Sequence, residues 1–270
     1  MKNAFSIFIV VVLLTACISW IRCGKDNPTD STGNVRNTNF VAEESFSFGV
    51  EVTDHTRLRL EGINGNVSIT ALTEADSVII TGEKRVGSES MQDAEAHLQE
   101  LEVSVREVAA EVYVKTNQPD QTYGRSYVVD YNIALPKELE VVVINVNGAV
   151  NVDSVNNYVS VVNVNGQVNL DEIIGSASVS LVNGQIVAEV TPPKGGIISM
   201  SVVNGGIDLD IPQYTSAQFS ASVVNGTISM YDLVLIGLVS TPTSLTGTLG
   251  TGEGTIALST VNGSITVSGF

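Results

Sequence analysis

The dipeptide Asn-Gly recurs along this chain at a nearly fixed spacing, and this repeat constrains the fold more than any other feature. Six copies in the C-terminal half are separated by 18, 18, 21, 21 and 37 residues, and in each copy Val precedes the Asn and Val or Ile follows the Gly two positions later. An isolated seventh copy lies near residue 64. A repeat of this length is typical of stacked structural units. The copies are Asn64-Gly65, Asn147-Gly148, Asn165-Gly166, Asn183-Gly184, Asn204-Gly205, Asn225-Gly226 and Asn262-Gly263.

Apolar and polar residues alternate between the Asn-Gly pairs, as in Ser-Val-Ser-Leu-Val-Asn-Gly-Gln-Ile over residues 178–186. Alternation with β-branched residues predicts strands. Only one strong turn signal occurs per period, which leaves room for three strands of about five to six residues. This pattern indicates an all-β fold, a single-stranded parallel β-helix or solenoid with coils of 18–21 residues, in which Asn-Gly marks the same corner of every coil.

Stacked corners would allow the Asn side-chain amides to hydrogen-bond to one another along the stack. We therefore interpret the Asn-Gly pairs as structural corners with no role in ligand binding. The 37-residue gap is close to two periods, and residues 252–256 are the candidate for a copy that lacks the Asn.

Apolar and polar residues alternate less regularly in residues 40–137 than in residues 138–270, so we predict a boundary between two parts of the chain after residue 137. Alternation predicts strands at 77–82, 103–108, 111–116 and 126–135. Ala94, Leu98 and Leu101 form one apolar face of a helix over residues 91–101. We expect this part to form the first coils, with the helix and a hairpin capping the open end of the solenoid.

Charge limits the range of functions. The chain carries 13 Lys and Arg against 29 Asp and Glu, a formal net charge of −16, which disfavours a nucleic-acid partner because binding requires cations against phosphates. Residues 138–270 contain ten acidic residues and one basic residue, Lys194. We therefore predict no enzyme activity, no catalytic residue and no cofactor.

Candidate ligands for a metal ion are few. Asp208 and Asp210 point to one side of a strand and are interpreted as a solvated face or a weak cation site. His55 and His97 fall on different elements, and we assign neither to a metal site. A carbohydrate-active enzyme built around the two aspartates is a distant alternative.

The N-terminus resembles an export signal. Lys2 and an apolar run from Phe5 to Leu14 precede Leu-Thr-Ala-Cys17, which is similar to the lipobox of bacterial lipoproteins. The resemblance implies that residues 1–16 are a signal peptide and that Cys17 is lipidated, with residues 17–39 as a flexible tether. An uncleaved membrane anchor is the alternative, because apolar residues continue past Cys17. Ile18 resembles the sorting signal for an outer membrane, if the host has two membranes.

This chain combines repeated Val-Asn-Gly-x-Ile units with a characteristic C-terminal run over residues 252–265 and a strand over residues 128–136. In these features residues 40–270 resemble a bacterial family of domains of unknown function called "putative adhesin". Gly62-Ile63-Asn64 also matches the tripeptide that labels the related head-GIN domains. The resemblance implies a parallel β-helix, right-handed, on the cell envelope, and it implies no established activity.

Together these features predict a non-enzymatic envelope protein that is anchored to a membrane and presents a polar surface to a glycan or to another envelope protein. One alternative is a self-assembling scaffold in which copies stack through residues 264–268. A second is a sensor of envelope stress or of cationic antimicrobial peptides, which the acidic body would attract.

Overall fold

A computed structural model describes residues 38–270, which form 21 β-strands and one α-helix. The strands make two large mixed sheets that do not close into a barrel. No helix among these residues has both the length and the apolar character needed to cross a bilayer. The predicted signal peptide, Cys17 and nearly all of the predicted tether lie outside the described residues.

The first sheet has ten strands, which are parallel in the middle and antiparallel at the N-terminal end. In spatial order they are β1 (Phe40–Glu51), β4 (Ser77–Ser88), β7 (Ser126–Pro136), β3 (Val67–Leu72), β9 (Val150–Asp153), β11 (Val168–Ile173), β13 (Ile186–Val190), β15 (Ile207–Ile211), β21 (Ile265–Gly269) and β17 (Ile228–Tyr231).

The second sheet has eleven strands and is antiparallel at both ends. In spatial order they are β18 (Ile236–Thr241), β19 (Ser244–Leu249), β16 (Ala217–Asn225), β20 (Gly254–Asn262), β14 (Ile197–Asn204), β12 (Ala177–Asn183), β10 (Val159–Asn165), β8 (Glu140–Asn147), β2 (Arg57–Glu61), β6 (Glu111–Asn117) and β5 (Glu102–Val108).

Each Asn-Gly pair joins a strand of the second sheet to the next strand of the first sheet, so a repeat unit contains two strands. The prediction of three strands per period was wrong, because the second-sheet strands of the regular repeats have seven to nine residues instead of the assumed five to six. Equivalent positions pair in register between units, as Asn165 does with Asn147 on one side and with Asn183 on the other.

Side chains from the inner faces of both sheets form one apolar cluster. Val161 and Val179 of the second sheet and Val168 and Ile186 of the first sheet are at most 1% exposed. Burying a side chain of this size contributes about 1.5–3 kcal/mol, so the stacked Val, Ile and Leu residues supply most of the driving force for folding.

The order of the units in space differs from their order in the chain at both ends. The unit β20–β21 is last in sequence, but it lies between β14–β15 and β16–β17. At the other end, the unit β2–β3 lies between β6–β7 and β8–β9. Only the units from β8–β9 to β14–β15 follow one another in both orders.

This arrangement corrects two expectations for the C-terminal end. The 37-residue gap holds the antiparallel hairpin β18–β19, which pairs with β16, and residues 254–256 begin β20 instead of forming a further copy. Residues 264–268 are not a free edge for stacking, because β21 pairs on both sides. The free edge of the second sheet at this end is β18.

Helix α1 (Met91–Leu98) packs on the N-terminal end of the first sheet. It begins after Ser90, whose side chain accepts a hydrogen bond from the Asp93 backbone N–H, a standard N-cap. Ala94 and Leu98 are buried against β1 and β4. The helix is shorter than the predicted 91–101, although Leu101 is also buried. The four strands predicted in this part are confirmed as β4, β5, β6 and β7.

Candidate functional site: a polar pocket beside the helix

A pocket of about 450 Å³ opens at the N-terminal end of the molecule. The end of α1 forms one wall, and the connection between β6 and β7 forms the other. Polar and aromatic side chains dominate its lining, which comprises His97, Glu100, Asn117, Gln118, Pro119, Gln121, Tyr123, Arg125 and Tyr127.

A tight turn presents one aromatic ring at this pocket. Tyr123 and Gly124 both have positive φ angles, 49° and 83°, which reverse the chain before β7. A non-glycine residue in this conformation is uncommon and costs free energy. Tyr123 is 63% exposed at the turn, so its ring is accessible to a ligand.

An ion pair braces the pocket wall. The Arg125 guanidinium donates two hydrogen bonds to Asp93, at 2.7 and 2.8 Å, and the Ser88 hydroxyl also donates to Asp93. These bonds hold the pKa of the Asp93 carboxyl well below its usual range, the Arg125 contribution being the largest. Because Asp93 belongs to α1, the pair ties the helix to the β6–β7 connection.

The floor of the pocket contains a tyrosine that stays protonated at neutral pH. The Tyr127 hydroxyl donates to Glu100 at 3.5 Å. Burial, followed by the neighbouring Glu100 charge, raises the pKa of Tyr127 to about 12. The Nδ1 atom of His97 lies 2.8 Å from the Asp93 carbonyl oxygen, which accepts its hydrogen bond.

These groups can bind a polar ligand through hydrogen bonds. The lining offers amide donors and acceptors, one carboxylate, one guanidinium and aromatic rings, and it contains no Ser, Cys or Lys nucleophile. Sequence reasoning missed this pocket and assigned His97 to no site. Its two walls are about 20 residues apart in the chain, and the amide-rich segment 117–121 was the one available signal.

The structure brings all seven Asn-Gly pairs into one row that crosses every repeat unit. Each Asn amide nitrogen except the first donates to the side-chain oxygen of the preceding Asn in the row, at 2.7–2.9 Å, and Asn64 donates to the Tyr127 carbonyl oxygen at 3.0 Å. The row follows the spatial order of the units and runs Asn64, Asn147, Asn165, Asn183, Asn204, Asn262, Asn225.

The glycines of this row have no room for a side chain. All seven have φ between 123° and 159°, and an added Cβ at any of them would lie well inside van der Waals distance of a backbone carbonyl oxygen of the adjacent unit. Glycine is required for both reasons. Buried side chains of Asn145, Asn163 and Thr260 donate to the carbonyl oxygens of three of these glycines.

The other candidate residues do not assemble into a site. Asp208 and Asp210 lie on the outer face of β15, where Asp208 accepts a hydrogen bond from Gln185 at 3.2 Å. His55 lies 3.3 Å from Glu107, remote from His97 in the chain. Residues 38–270 contain no group of three or more His, Cys, Asp or Glu side chains that could hold a metal ion.

No protein-family profile matches the chain, and no curated protein matches its sequence. Distant matches to solved structures were found. A putative cell adhesion protein from Clostridium sporogenes is 14% identical with a TM-score of 0.49, and the match covers 85% of this chain and all of that one. A putative adhesin from Bacteroides fragilis is 11% identical with a TM-score of 0.34, covering 84% and 97%. A putative lipid binding protein from Parabacteroides distasonis is 9% identical with a TM-score of 0.27, covering 83% and 96%. These likenesses are too distant to assign a function.

Proposed function

We propose that this protein is a non-enzymatic, membrane-anchored binding module of the cell envelope, of the adhesin type, and that its pocket beside α1 recognises a glycan. The observation that carries the proposal is the lining of that pocket, where an exposed tyrosine ring lies beside three amide side chains and a carboxylate.

Sugars present both apolar C–H faces and hydroxyl groups that donate and accept hydrogen bonds. The Tyr123 ring can pack against an apolar C–H face of the sugar. The side chains of Asn117, Gln118 and Gln121 can hydrogen-bond to its hydroxyl groups, since an amide both donates and accepts. The Glu100 carboxylate can only accept hydrogen bonds. The Asp93–Arg125 pair fixes the wall that carries these groups, so less ordering is needed on binding.

A second proposal concerns how the two-strand units are arranged. We infer that the two-strand units form a single-stranded β-solenoid, with coils of 18–21 residues, and that it is right-handed as the family resemblance implies. The parallel pairing at offsets of 18 and 21 residues between successive units supports this proposal. Because β1 follows the proposed tether directly and packs against α1, the pocket would lie at the tethered end of this body.

We predict that removing the Tyr123 ring abolishes most of the affinity for the bound sugar. The purified protein would be screened against an array of bacterial and host oligosaccharides, and the best binder titrated. Tyr123→Ala should weaken binding about tenfold, because aromatic packing of this kind contributes about 0.5–1.5 kcal/mol.

The matched control is Tyr214→Ala, which removes a tyrosine that is 79% exposed and distant from the pocket in sequence. It should leave the affinity unchanged. Absence of binding to every oligosaccharide, or equal binding by the wild type and by Tyr123→Ala, would contradict the glycan proposal.

We also propose that the chain is exported and held on a bacterial membrane, the outer one in a two-membrane host, by lipid on Cys17. Acyl chains stabilise membrane binding by about 0.8 kcal/mol per buried methylene. Labelled palmitate fed to expressing bacteria should mark the wild type and the control Cys23→Ala, but not Cys17→Ala. Label on Cys17→Ala would show that another residue carries the lipid, and an unlabelled wild type of uncleaved length would favour the anchor alternative.

A further inference from the structure

The two ends of the Asn row differ in how their backbone groups are satisfied. Six of the seven glycine N–H groups donate to the backbone carbonyl oxygen of the next Asn in the row, at 2.8–3.0 Å. These are Gly65, Gly148, Gly166, Gly184, Gly205 and Gly263. The seventh, Gly226, finds no acceptor in the part of the chain that the structure describes.

The Asn side chains show the same difference between the two ends of the row. The Oδ1 atom of every Asn except Asn225 accepts a hydrogen bond from the amide of a neighbour in the row. Asn225 donates to Asn262 at 2.9 Å, but within residues 38–270 nothing donates to its own Oδ1. Both Asn225 and Gly226 are exposed.

The position of the terminal hairpin explains why this end is open. Strand β19 pairs with β16 from Ala217 to Ser222, and the last backbone bond from β16 to the hairpin runs from Val223 N–H to the carbonyl oxygen of Thr243, in the turn before β19. The hairpin therefore ends before it reaches Asn225. At the other end β7 covers the row, because Val129 donates to the Asn64 carbonyl oxygen.

Asn-Gly is the dipeptide with the least steric hindrance to deamidation, a reaction that makes Asn thermolabile. The Gly backbone nitrogen attacks the side-chain carbonyl carbon of Asn, a C–N bond forms, and ammonia leaves to give a cyclic imide. Water then opens the imide at one of its two carbonyl groups and yields aspartate or isoaspartate. The attacking nitrogen must be released from other hydrogen bonds, and the side-chain carbonyl must be able to turn towards it.

We propose that Asn225 is a site of spontaneous deamidation and that the structure protects the other six Asn-Gly pairs. All seven share the reactive dipeptide, so the fold is what distinguishes them. In the six protected pairs, both the Gly N–H and the Asn side chain are held by the adjacent unit. Only a local opening of the stack would release them.

Deamidation at Asn225 would change the end of the row. The aspartate or isoaspartate that replaces this side chain would carry a negative charge and could not donate to the Oδ1 atom of Asn262. An isoaspartate would also lengthen the backbone by one atom, which disturbs the carbonyl group that accepts from Gly263 N–H. The modification therefore marks aged molecules at one defined corner.

The test is to incubate the full chain at mildly alkaline pH and growth temperature, digest samples with pepsin at low pH, and measure amide-to-acid conversion at each Asn-Gly pair by mass spectrometry. Asn225 should convert at least about tenfold faster than any other pair, since an opening that costs about 1.4 kcal/mol slows a reaction tenfold. Conversion of any of the six as fast as Asn225 in the folded protein would overturn the proposal.

Two controls separate fold from sequence. In concentrated guanidinium chloride all seven pairs should convert at similar rates, and a persistent lead of Asn225 there would show that the local sequence, not the stack, sets the order. In the folded Asn225→Gln variant, the early acidic species seen by ion exchange should disappear, and its persistence would also contradict the assignment.

Discussion

Removal of residues 254–270 will unfold the C-terminal end of the protein instead of shortening it by one unit. These residues form β20 and β21, which pair with β14 and β15 on one side and with β16 and β17 on the other. Without them the outer unit and its hairpin lose their strand pairing with the rest of the two sheets. The new ends, β14 and β15, would expose backbone groups and apolar side chains.

The expected size of the effect follows from the core residues that are lost. Ile256, Leu258, Ile265 and Val267 are at most 3% exposed. Truncating one such side chain costs about 2–5 kcal/mol for Leu or Ile, so the loss of four approaches the total stability of about 5–15 kcal/mol of a typical domain. Urea unfolding followed by circular dichroism, and limited proteolysis of residues 217–249, would measure it.

A double change on the hairpin provides the comparison. Ile236 and Leu238 are 63% and 56% exposed on β18, so Ile236→Ser with Leu238→Ser should change stability by no more than about 1 kcal/mol. If the truncated protein still unfolds in one transition at the wild-type urea concentration, then β20 and β21 are not needed to hold the outer unit in place.

Gly166→Ala is expected to destabilise the protein by about 2–5 kcal/mol, the sum of two costs. Gly166 has φ of 134°, which disfavours any residue with a Cβ. The added Cβ would also overlap the Gly148 carbonyl oxygen of the adjacent unit. The stack would have to separate locally, and the hydrogen bond between Asn165 and Asn147 would weaken with it.

Gly237→Ala gives a lower limit for the first of these costs, because its φ lies in the left-handed helical region that other residues can adopt and the φ of Gly166 lies beyond it. Gly237 also has a positive φ, 66°, but an added Cβ there would meet no atom within 4 Å. Gly237→Ala should lower the free energy of unfolding by no more than about 1–2 kcal/mol. Equal losses for the two variants in urea unfolding would show that backbone conformation alone, and not contact between units, requires glycine in the Asn row.

Much of this fold could be predicted from local sequence. Alternation located β4 to β7 and the strands that flank the Asn-Gly pairs, and the apolar face of Ala94 and Leu98 located the helix, but β1 and the hairpin β18–β19 were not predicted. The predicted number of strands per unit was wrong because the spacing of Asn-Gly pairs gives the length of a period but not how its residues are divided between strands. Strands of eight and nine residues leave room for two per period.

The order of the units could not be predicted, because each unit presents nearly the same pattern to its neighbours. Asn262 pairs equally well with Asn204 and with Asn225, so nothing in the repeat itself specifies that β20 enters between β14 and β16. The pocket was missed for a different reason. Its walls come from segments that only the tertiary fold brings together, and single residues such as Gln121 carry no signal by themselves.

The exchanged order of the end units restricts how a protein of this kind can change its length during evolution. A duplicated segment of one 18-residue period inserted between Asn165 and Asn183 would enter a region where neighbours in the chain are neighbours in space, and every existing pairing could be kept. The same duplication near either end would have to rethread a unit between two others. Duplication or deletion of whole periods should therefore change the length of such proteins in the middle of the chain, while both ends stay constant.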